Sequence, residues 1–337
     1  MPNNTIQPVL LLATFNGETY LNHMLCSLSN QEALAEEALL VVSDDHSTDN
    51  TISSIKSFES SPVALRQITE QNSTPWSGAV GNFAHLCHLA TTTSGTHFFF
   101  CDQDDLWLPN KVITSLERMD DLLDGATRND LPALVFSDLE VIDREENHVA
   151  QSFANYQGLP PPGEQPLHRL LHQNVVTGCT VCFNRPLLEL ASPIPRSALM
   201  HDHWFGLCAR VFGKWSYIDE PLVKYRQHGE NAVGAKSAVD LRSWLRADIY
   251  TMLFNYPFHL AQAVEQAEAL KSRMLEHPEL ISEDDLSTVD AFAGLRRIGL
   301  FDRWKIGMRF FDGKRSLGER TFLLFVLAII PWVKVQR

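Results

Sequence analysis

Five aspartates in two short segments could share one piece of chemistry. Asp102, Asp104 and Asp105 put three carboxylates within four residues, and Asp44 and Asp45 stand side by side at the start of Asp44-Asp45-His46-Ser47-Thr48-Asp49. Carboxylates this close repel one another unless something positive joins them. A hard divalent cation is the economical solution, because Mg²⁺ and Mn²⁺ take one or two carboxylates and complete their shell with substrate phosphate oxygens. The alternative is a solvated acidic loop whose aspartates cap the next helix. The chain in front of each cluster favours the cation. Leu39 to Asp44 and His97 to Cys101 are short apolar runs with the length of a strand buried on both faces. Both clusters therefore end buried strands.

The elements that must position these groups follow from the same patterning. Val9 to Thr14 and Val63 to Thr69 read as further buried strands. Helical apolar spacing lies between the strands: Tyr20 to Gln31 carries Leu21, Met24, Leu25 and Leu28 on one face, and Thr51 to Phe58 carries Ile52, Ile55 and Phe58, with Asp49 as N-cap. A third helix is expected over Ala79 to Leu89. Strands alternating with helices predict βαβ units, a mainly parallel central sheet flanked by helices, and an α/β fold. Ligands bind outside the carboxyl ends of such strands. That edge would gather the turn Thr14-Phe15-Asn16-Gly17 and both acidic clusters. Ala13 to Thr19 contains no Lys or Arg, which argues against the Lys-bearing phosphate loop of a nucleotidyltransferase. Past the Pro-rich stretch Leu159 to Pro166, Val175 to Phe183 and Leu222 to Arg226 read as strands and His201 to Phe212 as a helix. From Val239 the composition turns helical, so a boundary is placed near 235, dividing the chain into 1–235 and a helical C-terminal region, 236–337.

Three segments, in order, carry a resemblance: "VLLLATFNGETYLNHMLCSL", "LLVVSDDHSTDNT" and "FFFCDQDDLWLPNKV". Together they resemble the inverting family 2 glycosyltransferases of A-type fold. The later "HDHWFGLCARVFGKWSYIDEPLVKYRQHGENAVGA" is similar to the rhamnosyltransferase-type branch, and the resemblance spans roughly 8 to 235. It implies that Thr14 and Asn16 line a nucleotide pocket, that Asp45 with Asp44 contacts the pyrimidine ring, and that Asp102 and Asp104 form a DxD motif. Asp104 would be the direct metal ligand, with Asp102 addressing ribose or a metal-bound water. Trp107 would pack under the sugar or anchor the core. The family's base lies in an acidic pair opening a later helix. Here that place reads His201-Asp202-His203-Trp204, so Asp202 is the implied base, with His201 and His203 as assistants or plain helix-start residues. His228 would complete the metal shell, and Arg226 would pair with phosphate.

The implied reaction is a single displacement with inversion, assisted by Mg²⁺ or Mn²⁺. It moves a sugar, best read as rhamnose from dTDP-rhamnose, to a hydroxyl of a glycan or lipid-linked acceptor in surface polysaccharide synthesis. A UDP-hexose donor, or a nucleotide-sugar-binding protein without turnover, are the alternatives.

Composition bounds the rest. The 337 residues are 45% hydrophobic and 20% charged, which excludes a disordered chain. Lys and Arg number 28 against 41 Asp and Glu, a net −13 that argues against a nucleic-acid partner. The charge is unevenly spread. From Arg296 to Arg337 there are 10 basic and 3 acidic residues, net +7, which leaves 18 and 38, net −20, in the remainder. Arg296, Arg297, Arg303, Lys305 and Arg309 interleave with Ile298, Leu300, Phe301, Trp304, Ile306, Met308 and Phe310, which suits a helix lying in a membrane interface. The alternative is a C-terminal helix packed on its own domain. The apolar run Phe322 to Val333, 12 residues, is short of the ~20 a spanning helix needs. The polar Met1 to Pro8, followed by an apolar stretch too short for a signal core, points to the cytoplasm. Cys179 and Cys182, in one expected strand, would face opposite sides as buried thiols.

Overall fold

The computed structural model describes residues 7–32, 34, 38–59, 66–123, 130–158, 163, 165–228, 256–310 and 317–333. Its first part alternates as expected: β1 (Pro8–Thr14), α1 (Leu21–Ser29), β2 (Leu39–Asp44), α2 (Thr51–Glu59), β3 (Arg66–Gln71), α3 (Gly78–Thr91) and β4 (His97–Asp102). Next come β5 (Leu106–Trp107), α4 (Lys111–Leu122), β6 (Ala133–Ile142), β7 (His148–Ala150), α5 (Phe153–Gln157) and α6 (Leu167–Leu170). These lead to β8 (Cys182–Asn184), α7 (Arg185–Ala191), α8 (His201–Phe212) and β9 (Lys214–Arg226). The C-terminal helices are α9 (Tyr256–Glu276), α10 (Glu283–Ala293), α11 (Leu300–Phe310) and α12 (Leu317–Ile329).

One nine-stranded sheet runs in the order β3-β2-β1-β4-β8-β6-β9-β5, with β7 paired to β6. The pairings β1–β2, β1–β4, β2–β3 and β6–β9 are parallel. The antiparallel members β5, β7 and β8 have only two or three residues each, so every long strand points the same way. Alternation along the buried strands divides the core in two. Val9, Leu11, Phe98 and Phe100 face one cluster, and Leu10, Leu12, Phe99 and Cys101 the other. Leu21, Met24, Leu25 and Leu28 are the buried face of α1, as their spacing requires. Each such side chain stabilises by roughly 1.5–3 kcal/mol relative to exposure.

Three readings change. The expected strand Val175 to Phe183 is broken by a 3₁₀ turn, Gly178–Thr180, before β8 begins. The turn carries Cys179 round to the same cluster as Cys182, so the two thiols do not face opposite sides. β6, ten residues long, had no counterpart in the sequence reading, and β9 extends well before Leu222. The boundary near 235, the start of the expected strand at Val63, and most of Leu159 to Pro166 lie outside the described residues. The C-terminal segment is helical where it is described, but its side chains do not stand apart. Leu260, Val264, Phe292, Leu323 and Val326 join the same core as Trp204 and Phe205 of α8.

Candidate active site

The strand register brings the candidate residues together. Thr14 lies opposite Asp44, and Ala13 opposite Asp102, so both acidic strand ends open onto one edge of the sheet. A cleft of about 870 Å³ lies over this edge. Thr14, Asp45, Asp102, Asp104, His201 and Asp202 all line it.

On the first wall, Asp44 is fully engaged. It accepts hydrogen bonds from Thr14 Oγ1 (2.9 Å), Ser47 N (2.8 Å) and Ser47 Oγ (2.6 Å). Asn16, in the left-handed region with φ of 46°, accepts from Thr48 N through its side chain, while its own N–H donates to Ser47 Oγ. Asp44 and Asn16 therefore brace the loop and do not line the cleft. Asp45 does, with one oxygen accepting from Asn72 Nδ2 (2.8 Å) and the other from Gly78 N (2.7 Å).

The turn after β4 is tied to the β1 loop by Gln103, whose amide makes a reciprocal pair with the Phe15 backbone at 2.9 Å each way. A Cβ on Gly17 would run into the Gln103 side-chain amide, so a larger residue there displaces the group that ties the two loops. Beyond the turn, His228 Nε2 lies 2.8 Å from Asp104 Oδ2, and the His228 ring packs on Tyr20. Burial first, then the carboxylates of Asp104 and Asp202, push Asp102 up to about 8.

The second wall carries Asp202, in the first turn of α8 and 7% exposed. Three donors converge on its carboxylate: Gly178 N (2.8 Å), Asn174 Nδ2 (3.0 Å) and His203 N (2.6 Å). Burial nonetheless raises it to about 6, against the lowering by these donors. A Cβ on Gly178 would fall 2.7 Å from His201 Nε2 and 3.5 Å from Asp202 Oδ2. His201 stacks on Phe83 with ring centroids 3.7 Å apart, and neither of its nitrogens has a hydrogen-bond partner. Burial holds it neutral, at about 3.

Three residues expected at the ligand lie elsewhere. Trp107 is 3% exposed in the cluster beneath the sheet, against Phe99, with Lys111 Nζ 4.4 Å from its ring centroid. It anchors the core. His203 Nε2 is bonded to the Leu170 carbonyl at 2.6 Å, turned away from the cleft. The Arg226 guanidinium is 1% exposed and donates to the Asp104 and Arg144 carbonyls and to Glu146 Oε1, so its donors are spent within the protein. It positions the turn and is not available to a phosphate. Gln103, Asn174 and Gly178 were missed in turn. Gln103 is the variable position of its motif, and Asn174 acts on a residue 28 positions away, so neither leaves a local pattern.

Asp104 and His228 stand side by side, and with Asp102 at the same strand end they supply the carboxylate and imidazole donors a divalent cation takes. Crowded carboxylates lacking an offsetting charge are the natural donors of such an ion, and the imidazole is already beside Asp104. Among the described residues, however, these three are not gathered within 4.8 Å of one another. Ligand atoms of Asp102, Asp105 and Cys179 do lie within 4.8 Å of one another. A thiol is a soft donor that Mg²⁺ and Mn²⁺, which prefer oxygen ligands, do not select.

Residues 10–127 match the family described as Glycosyl transferase family 2. The dTDP-rhamnosyl transferase RfbG of Shigella flexneri is 26% identical over 234 residues, 66% of this chain and 74% of that protein. The S. aureus TarS 1-349 crystal structure superposes with a TM-score of 0.55 at 15% identity, covering 96% of this chain and 81% of that one. The complex of TarS 1-349 with UDP-GlcNAc gives 0.54 at 14%, over 97% and 91%. Residues 10–127 thus match glycosyltransferase family 2, and the chain as a whole has a fold of the glycosyltransferase A type.

Proposed function

We propose that the protein is an inverting rhamnosyltransferase that moves rhamnose from dTDP-rhamnose to a hydroxyl of a glycan or lipid-linked acceptor in surface polysaccharide synthesis. It would work with Mg²⁺ or Mn²⁺ at the cytoplasmic face of a membrane approached through residues 296–337. The observation that carries the reading is that two acidic sites from different elements line one cleft, Asp102 with Asp104 at the end of β4 and Asp202 at the head of α8. The rhamnosyl assignment rests on the RfbG relative. It is supported by the apolar stretch of wall formed by Phe83, Val175, Val176 and Met200, which suits the methyl group of a 6-deoxysugar.

In this mechanism Thr14 and Asp45 border the nucleotide, and Asp44 and Asn16 keep their loop in shape. Asp102, Asp104 and His228 would hold the ion, which when bound neutralises charge developing on the departing diphosphate. Asp202, desolvated and fixed by three donors, takes the proton from the acceptor hydroxyl as it attacks the face of the sugar opposite the diphosphate. His201, uncharged and stacked on Phe83, adds no charge beside the base.

The test is a panel of nucleotide sugars assayed for nucleoside diphosphate release with Mg²⁺ or Mn²⁺, with and without candidate acceptors. Acceptor-stimulated release from dTDP-rhamnose is expected. Faster release from a UDP-hexose would replace the donor, and binding without release from any sugar would reduce the protein to a nucleotide-sugar binder.

A further inference from the structure

More than half of the exposed large apolar side chains among the described residues fall between 300 and 332. In α11, Phe301, Trp304, Lys305 and Met308 recur at i, i+3, i+4 and i+7, one face of a helix, and all four are exposed. Phe301 is 65% exposed and Trp304 38%. The opposite face holds Arg303, Gly307 and Phe310, all buried. Arg303 is held inside by the carbonyls of Leu327 and Ile298, and a Cβ on Gly307 would lie 2.4 Å from Leu327 Cδ1. The helix is therefore packed with an arginine and a glycine inward and its aromatic stripe outward. That is the reverse of what burial of apolar surface selects in a helix whose outer face meets only water. The following helix is apolar on both sides, with Leu323, Val326 and Leu327 buried and Leu324 and Phe325 exposed, and Trp332 beyond it is 77% exposed.

We propose that this helical hairpin is a docking face for an anionic phospholipid bilayer, with α11 lying in the plane of the interface. The inference rests on the reading of 296–337 as a membrane contact and adds the side chains and the orientation. Charge identifies the occupant. Lys305 and Arg309 are exposed on α11, with Asp302 3.9 Å from Lys305 Nζ, and Arg297 just before the helix is paired with Glu268, in a segment of net +7 on a body of net −20. An anionic surface attracts this face and repels the rest, which fixes how the molecule lands. A second copy is a poorer match, because a two-fold contact would set these cations against their own equivalents. Lys305 Nζ sits 4.3 Å from the Phe301 ring centroid, with a stem long enough to reach headgroup phosphate while the ring enters the acyl boundary. The hairpin also abuts the second wall of the cleft: His172, two residues before Asn174, is bonded to the Phe310 carbonyl at 3.4 Å. A bilayer docked here lies beside the wall from which an acceptor hydroxyl must reach Asp202.

The experiment is flotation of the full chain with phosphatidylcholine vesicles, with and without phosphatidylglycerol, alongside sedimentation velocity in the absence of lipid. Flotation with the anionic vesicles and little with neutral ones is expected. The double variant Phe301→Ser/Trp304→Ser should lower partitioning about tenfold or more, and Lys305→Gln and Arg309→Gln about fivefold each. All four side chains are exposed, and matching circular dichroism confirms the variants' fold. No flotation of the native chain removes the membrane reading altogether. Flotation that all the variants retain keeps a membrane contact but overturns this face as its source. A dimer of the native chain that the double variant dissolves assigns the face to a second copy instead. Acceptor-independent nucleoside diphosphate release from the donor in solution is read in parallel. It tests the transferase reading separately and should be equal in all variants.

Discussion

The cleft has two acidic walls, and they hold their carboxylates by opposite means. Asp102 stands among groups of its own sign, and among the described residues no hydrogen bond reaches its carboxylate; burial and the charges of Asp104 and Asp202 drive it up to about 8. Asp202 is the more deeply buried of the two but receives three donors, and rises only to about 6. The first wall is destabilised until something positive arrives, which is the electrostatic condition of an ion site. The second is satisfied on its own and stays largely ionised at neutral pH, which is the condition of a base. The lesson is that carboxylates facing one cleft are told apart by their donors, not by their residue type.

The sharpest way to break this contrast is to neutralise each wall in turn. Asp202→Asn should lower kcat by about 10²–10⁴ while nucleoside diphosphate affinity, measured by calorimetry with the metal present, stays within about threefold. Asp104→Asn should lose both turnover and metal-dependent binding of the diphosphate. Equal loss of binding in the two variants would erase the division of labour. A smaller effect is expected at His228. His228→Ala should raise the divalent-ion concentration for half-maximal activity by about tenfold, and an unchanged requirement would remove it from the ion site.

The second wall has its own pH signature. Below about 6 Asp202 is protonated and cannot accept, so kcat/KM should fall as pH drops through that value. Removing a donor destabilises the ionised form, so Asn174→Ala should move this acidic limb upward by about one unit, a tenfold loss on the acid side. A limb that stays in place would mean that Asp202 is not the titrating base. The smallest effect concerns Trp107. Trp107→Phe should cost about 1 kcal/mol in denaturant unfolding with donor KM unchanged. A raised KM would return the indole to the sugar.

Much of this was legible in the residues. The apolar runs ending in Asp44 and Asp102 are strands because a doubly buried strand must be apolar throughout, and their parallel pairing delivers both acidic ends to one edge. The position of Asp202, at the head of a helix that reaches the cleft, was legible from the sequence. The roles of Trp107, His203 and Arg226 were not. A motif records that a residue is present near a site, whereas the direction of its side chain depends on what the rest of the chain packs beside it. Trp107 follows an acidic turn but points through the sheet to Phe99. Arg226 lies next to the candidate phosphate region but finds Glu146 and two carbonyls first.

By itself, then, the sequence determined the alternation of strand and helix, the edge on which the chemistry gathers, and the excess of positive charge in the tail. These are properties of local period and composition, which survive without knowing any long-range contact. Only the tertiary structure decided that Asn174 and Gly178 reach Asp202 from 28 and 24 positions away, that Cys179 turns to join Cys182, and that α11 shows its aromatic stripe outward. Those outcomes depend on which surfaces compete for burial and which donors are left to pair, and that competition is settled only when the whole chain is folded.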